Sequence, residues 1–101
     1  MNRIVFTELA EADLIDIWIN IAPDNDAAAD RIVDEIHDVT RKLVRFPHMG
    51  RAADELRPGA RSFVHASYLI AYRPMEYGIA VLRVAHCARD VLHLFYPDAP
   101  A

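Results

Sequence analysis

Residues 8–45 read ELAEADLIDIWINIAPDNDAAADRIVDEIHDVTRKLVR, and their periodicity decides the fold. In the first part Leu14, Ile17, Trp18 and Ile21 fall at i, i+3, i+4 and i+7, one face of an amphipathic helix from Glu8 to about Ala22. Thr7 is a natural N-cap, and Glu8 and Glu11 lie near the positive end of the helix dipole. Pro23 stops this helix, and Asp24-Asn25-Asp26 form the connection. Asn25 can cap a second helix, expected over Asp26–Arg45, whose buried stripe is Ile32, Ile36, Val39 and Leu43. Two helices joined by so short a connection are most simply an antiparallel hairpin.

Working outward, Asn2 to Phe6 is a short apolar run suited to a strand. On the other side Phe46-Pro47 ends the second helix, and Gly50 opens an irregular stretch through Pro58-Gly59. The period then changes. Ser62 to His65, Tyr68 to Arg73 and Ile79 to His86 are short and rich in β-branched and aromatic residues, as strands are. Pro74 to Gly78 is expected to be a five-residue hairpin connection. The order β-α-α-β-β-β predicts an α+β fold, with the helical hairpin packed on one face of a small antiparallel sheet. The opposite face is expected to be left for solvent or a partner. Residues 1–96 form one domain on this reading, and residues 97–101 an unanchored tail.

Composition narrows the function classes. Hydrophobic residues make up 53% and charged residues 26%, a globular balance. No run is long and apolar enough to span a membrane, and Met1 to Phe6 is too soon followed by acids to read as a signal peptide. A lone Cys87 forms no internal disulfide, which fits a reducing cytoplasm. Net charge is −4, unevenly spread: residues 1–56 carry six basic and twelve acidic side chains, residues 57–101 five basic and three acidic. Ten of the eleven basic residues are Arg, whose planar fork of donors suits carboxylate or phosphate. A protein that grips a nucleic-acid backbone needs a denser basic face than this, so direct sequence-specific DNA binding by the chain alone is not expected.

Six segments carry a family resemblance. They are Phe6-Thr7 with Ala10-Glu11-Ala12-Asp13-Leu14, Ile17-Trp18 and Ile21-Ala22; Asn25 to Ile32; Phe46-Pro47-His48-Met49-Gly50-Arg51; Asp54 to Arg61; Tyr68 to Arg73; and Arg83 to Asp90. Together, over about residues 4–92, they resemble the ParE-type toxins of the RelE/ParE toxin–antitoxin family, the plasmid stabilisation toxins. Two departures are visible: Glu8 where Pro is common, and His86-Cys87 where His-Gly is usual. The second implies that this backbone position does not require positive φ.

The resemblance implies a toxin neutralised by a cognate antitoxin, whose flexible C-terminal segment wraps it and folds on binding, commonly as a heterotetramer. ParE-type members inhibit DNA gyrase, whereas RelE-type members cut mRNA on the ribosome. RNA cleavage by such a fold needs a group to activate the 2′-hydroxyl, cations beside the phosphate and a group to assist the leaving oxygen. RelE-like sequences place spaced lysines before the middle strand, an Arg after its first Tyr, and a late Arg followed by a Tyr. Here Leu69 follows Tyr68, and Arg61 to Val64 holds one cation and no Lys. The late Arg could be Arg89, with Phe95 and then Tyr96 beyond it. If the chain were a nuclease, Arg61, Arg89 and Tyr96 would be its candidates; the expected reading is a protein-binding inhibitor with no catalytic residues and no cofactor. An inactive, antitoxin-binding relic is the third reading.

His86, Cys87 and His93 match no standard zinc spacing, so no metal is expected, and Cys87 is expected to be a small buried hydrophobe. Arg57, Arg61, Arg73, Arg83 and Arg89 form the candidate site for an acidic partner segment. A hairpin pairing Ala71 with Val81 would turn Arg73 and Arg83 to one face. Taken singly, each Arg can instead pair with a nearby acid, such as Asp54, Glu55 or Asp90. Leu9, Trp18, Ile15 and Ile19 are candidates for exposed apolar contacts, with Trp18 expected in the core.

Overall fold

The computed structural model describes residues 2–98. The elements are β1 (Arg3–Phe6), α1 (Glu8–Ile21), α2 (Asp26–Arg45), β2 (Arg51–Ala52), β3 (Arg61–His65), β4 (Tyr68–Met75), β5 (Gly78–His86) and α3 (Val91–Phe95). Both caps form. The Thr7 side chain accepts from the Ala10 N–H and that of Asn25 from the Ala28 N–H, at 3.1 and 3.0 Å. The tail at 97–101 falls mostly outside the described residues.

The five strands form one sheet in the order β1-β5-β4-β3-β2. It is mixed, not antiparallel throughout: β1 lies parallel to β5, from Arg3 beside Gly78 to Phe6 beside Val81. The helical hairpin carries the chain over one face and lets its first strand add beside its last, a pairing with no local signature. β5 is consequently an interior strand, flanked by β1 and β4, and almost continuously buried. Gly78 permits this closeness, because a Cβ there would lie 1.9 Å from the Arg3 carbonyl oxygen, and its φ is +144°. The β4–β5 turn is also tighter than expected. Met75 pairs with Gly78 and Pro74 with Ile79, leaving a two-residue loop. Pro74 is tolerated because β3 reaches only to Tyr72, so β4 is an edge there.

The core lies between helices and sheet: Leu14, Ile17, Ile36, Val39 and Leu43 meet Ile70, Tyr72, Ile79, Val81 and Val84. Val81 and Val84 both face it because a bulge follows Val81, so Tyr72 pairs with Val81 and Ala71 with Arg83. That replaces the expected Ala71–Val81 register. The far face of the sheet is not bare either. Ala53 and Leu56, from the segment before β3, pack on Ala71 and Leu69, with Val91 and Phe95 of α3.

The Phe-Pro-x-x-Gly-Arg segment is fastened from beneath by Tyr72, whose side chain is fully buried. Its hydroxyl donates to the Pro47 carbonyl at 2.7 Å and accepts from the Gly50 N–H at 3.0 Å. A Cβ on Gly50 would stand 2.7 Å from that hydroxyl and 2.6 Å from the Ser62 carbonyl oxygen, so the loop can seat only with glycine here.

Candidate functional site

The five candidate arginines have different fates, which their neighbours decide. Arg83 turns round the sheet edge to Asp13 of α1: Nε and Nη2 donate to the two carboxylate oxygens at 2.8 and 2.9 Å. The same carboxylate accepts from the Val84 N–H at 2.9 Å. β1 has ended at Phe6, so from Leu82 onward α1 takes its place along β5, beginning with the Thr7 hydroxyl, which donates to the Leu82 carbonyl at 2.9 Å. Asp13 thus completes an open strand edge and neutralises a buried cation together. Its hydrogen bonds hold the Arg83 guanidinium above the ordinary arginine pKa, although burial opposes this. The register does place Arg83 on the face of Arg73, but its guanidinium is used within the fold.

Arg61 is likewise occupied. Its Nε and Nη2 donate to the Gly50 carbonyl at 2.9 and 2.6 Å, and Nη2 also to the His48 carbonyl at 3.2 Å. Arg57 and Arg61 therefore do not take Asp54 or Glu55 as partners. Asp54 accepts from the Gly59 N–H, and Glu55 pairs with Arg51 at 2.7 Å. That pair lowers the Glu55 pKa and raises that of Arg51, chiefly through the hydrogen bond between them.

Three arginines remain exposed: Arg57, Arg73 and Arg89. Arg57 lies with its guanidinium carbon 5.3 Å above the Phe95 ring. Arg73 lies against Gly59, where a Cβ would stand 3.1 Å from its Nε. Arg89 borders a small polar cleft with Asp16, Asn20, Tyr68 and His86. Asp90 does not pair with it; its carboxylate caps α3 at the His93 N–H, 3.1 Å away.

The nuclease candidates do not converge. Arg61 pairs with Tyr72, whereas His86, three residues before Arg89, pairs with Tyr68. Tyr68 and Tyr72 are four residue steps apart along β4, roughly 13 Å at strand rise. Tyr96 is half-exposed after α3. Cys87 is exposed, correcting the expectation of burial: it stands in the turn after β5, its N–H donating to the Ser67 carbonyl at 2.7 Å. Its φ is not positive, since Ala66 alone among the described non-glycine residues has that geometry. His86 Nδ1 accepts from the Ala88 N–H, and no three metal-ligating side chains converge among the described residues.

Trp18 is 40% exposed, not core. Its Nε1 donates to the Asp30 carboxylate at 2.8 Å, laying the indole across the hairpin. With Ile15 it lines an apolar groove between α1 and α2, alongside Phe6, Leu14, Val33 and His37. Leu9 is exposed but does not join Trp18, since nine residues along a helix turn it roughly half a revolution away. Sequence reading missed Phe6, Val33 and His37 in this groove. The available signal was the row Asp26, Asp30, Val33, His37 at i, i+4, i+7 and i+11, which marks one side of α2.

Comparison with known proteins matches this arrangement. Residues 4–91 match the family model described as the ParE toxin of type II toxin–antitoxin system, parDE. Toxin ParE1 of Mycobacterium tuberculosis is 34% identical over 99 residues, covering 89% of this chain and 94% of that protein. Toxin ParE3 of Caulobacter vibrioides is 28% identical over 85 residues, covering 83% and 85%. A chain of the chromosomal ParDE TA system from P. aeruginosa shares the fold, with a TM-score of 0.70 at 23% identity, over 85% of this chain and 96% of that one. The helical hairpin, the mixed sheet and a match running from β1 to the start of α3 place this chain in the ParE toxin family of type II toxin–antitoxin systems.

Proposed function

We propose that this ParE toxin is neutralised by a cognate antitoxin and, once free, inhibits DNA gyrase by binding, without cutting RNA. The observation that carries the choice against RNA cleavage is the placement of Arg61. Its Nε and Nη2 donate to the Gly50 and His48 carbonyls, which holds the guanidinium against the loop and turns it away from a role beside a phosphate. The other candidate cation, Arg89, stands at the far end of β4. Phosphodiester cleavage needs its cation and its proton-transfer groups within hydrogen-bond reach of one another.

Three exposed arginines around the segment 53–60, α3 and the end of β5 suit an extended segment carrying Asp or Glu. That is the expected chemistry of the antitoxin's contact, and two toxins with two antitoxins is the expected assembly. No helix among the described residues is long and apolar enough to cross a membrane; the proposed place of action is the cytoplasm, where gyrase works.

The test is supercoiling by purified gyrase with increasing amounts of the toxin freed of antitoxin. Inhibition with accumulating cleaved DNA is expected. Unimpaired supercoiling by a folded sample would remove gyrase as the target. Ribosome-dependent mRNA cleavage lost in Arg89→Ala would install the nuclease reading instead. Arg73→Glu should weaken the antitoxin complex, and an unchanged Kd would reject the arginine face.

A further inference from the structure

β5 ends in a cleft that no strand closes. β1 pairs with β5 only as far as Val81, and beyond that point the outer edge of β5 faces α1. Along this edge Asp13 takes the Val84 N–H, while the Cys87 N–H points the other way, to the Ser67 carbonyl. The alternation of a strand therefore turns the Val84 carbonyl and the His86 N–H toward α1 as well. Between them and the helix lies a recess of about 190 Å³. Its floor is apolar, since Ile17, Val84 and Ala85 are all buried. Its rim is polar, with Asp16 and Asn20 on α1, Tyr68 and His86 on the sheet side, and Arg89 beyond β5.

The polar groups of the rim are unspent. The hydrogen bonds around the recess belong to Asp13, with Arg83 and Val84, and to His86, whose Nδ1 accepts from the Ala88 N–H at 3.0 Å. That leaves His86 Nε2 to donate. The Asp16, Asn20, Tyr68 and Arg89 side chains make no hydrogen bond or ion pair among the described residues. Because Arg83 neutralises Asp13, the remaining formal charges, Asp16 and Arg89, cancel. An apolar floor, a balanced rim and free donors and acceptors suit a flat, uncharged ring with a hydrogen-bonding edge. Sites for drug-sized ligands run to about 300–1,000 Å³, so this recess takes a single small ring system.

The order of groups on α1 narrows the ring. Asp16 and Asn20 stand one turn apart on one side of the helix, which sets two carboxylate oxygens beside an amide N–H. The matching ligand edge carries two adjacent donors followed by an acceptor. Among the nucleobases guanine alone has this edge, as N2–H, N1–H and O6. Adenine and cytosine would set an acceptor against the carboxylate, and uracil flanks its single N–H with carbonyls. We propose that this cleft binds the guanine base of a free nucleoside or nucleotide. Asp16 accepts from N1–H and N2–H, and Asn20 donates to O6. The Tyr68 and His86 rings, edge to face at 5.4 Å, cover one flank, and Arg89 and His86 Nε2 are left for the ribose or phosphate. A guanine within a nucleic-acid strand suits the site less, because α1 carries Glu8, Glu11, Asp13 and Asp16 and no Lys or Arg to meet a phosphate backbone. The inference rests on the cleft alone, and stands or falls independently of the gyrase reading.

The test is an NMR titration of the isotope-labelled full chain, freed of antitoxin, with guanosine. Saturable shifts at the Asn20 side-chain amide and at the backbone amides from Val84 to Arg89 are expected. Inosine lacks the 2-amino group and should bind at least about tenfold weaker, with adenosine and cytidine weaker still. Guanosine monophosphate binding tighter than guanosine, with the gain lost in Arg89→Gln, would assign the natural ligand to nucleotides; equal binding of the two would assign it to nucleosides. Asp16→Asn exchanges an acceptor for a donor at an exposed position of α1, so the urea midpoint should stay in place. Its guanosine affinity should fall at least about tenfold, while xanthosine, whose 2-carbonyl accepts from the new amide, should gain. Equal binding of inosine and guanosine, an unchanged preference in Asp16→Asn, or no saturable shift with guanosine would overturn the proposal. So would saturation only by a guanine-containing single-stranded oligonucleotide, which would give the cleft to a nucleic-acid strand.

Discussion

Replacing Asp13 by Ala should be among the most damaging single changes to this fold outside its apolar core. Three donors lose their acceptor at once: Nε and Nη2 of Arg83, at 2.8 and 2.9 Å, and the Val84 N–H, at 2.9 Å. The Arg83 side chain is 14% exposed and that of Asp13 7%, so water cannot substitute freely. Breaking a buried pair by removing one partner costs about 3–5 kcal/mol, because the other charge is stranded. Arg83 keeps a long contact of 3.4 Å to the Leu94 carbonyl, which favours the lower end. Arg83→Met should be milder, since Asp13 retains Val84, and Asp13→Leu/Arg83→Met should cost less than the two single changes summed.

Urea unfolding measures all of these. With a slope of about 1.5 kcal/mol/M, a loss of about 3 kcal/mol moves the midpoint down by about 2 M. The Arg83 pKa is raised in the folded state, so its contribution is present at every pH below the ordinary arginine value. It fades only as pH rises through the folded value, far into base. The Asp13 effect should consequently not vary from neutral pH into mild alkali. A loss under about 1 kcal/mol, or additive single changes, would refute the view that Asp13 and Arg83 act as one buried unit.

Tyr72→Phe removes the hydroxyl that holds Pro47 and Gly50; it should destabilise by about 1–3 kcal/mol and speed amide exchange at Gly50, and unchanged exchange there would sink the fastening role. The Glu55 pKa is lowered by Arg51, so the pair's contribution is present above the ordinary glutamate value and lost as pH falls through the folded one; in Arg51→Gln the NMR titration of Glu55 should return upward, and no movement would deny the pair in solution.

The legible parts of this fold are those carried by short-range rules. The bounds of α2 follow from the Asn25 cap and the Phe46-Pro47 stop, and the stripe Ile36, Val39, Leu43 is buried as its spacing requires. The three later strands follow from β-branched and aromatic runs. Trp18 reads as a core residue because it shares the i, i+3, i+4 stripe with Leu14 and Ile17. It lies at the stripe's margin, where the second helix and Asp30 decide its environment. The candidate arginines could be named from their number and position. Which of them stay exposed was illegible, because Gly50, His48 and Asp13, the groups that occupy Arg61 and Arg83, are up to 70 residues away.

By itself, then, the sequence determined a helical hairpin, a group of strands and membership of one toxin family, since caps, periods and motifs act over a few residues. Tertiary structure alone decided that β1 runs parallel beside β5, that the bulge after Val81 sends Val84 inward, and that Asp13 covers the strand edge β1 leaves open. The first and last are bonds between segments about 70 residues apart, and the bulge is set by the core that β5 must face; each is chosen by which backbone groups, charges and apolar side chains would otherwise be left without partners.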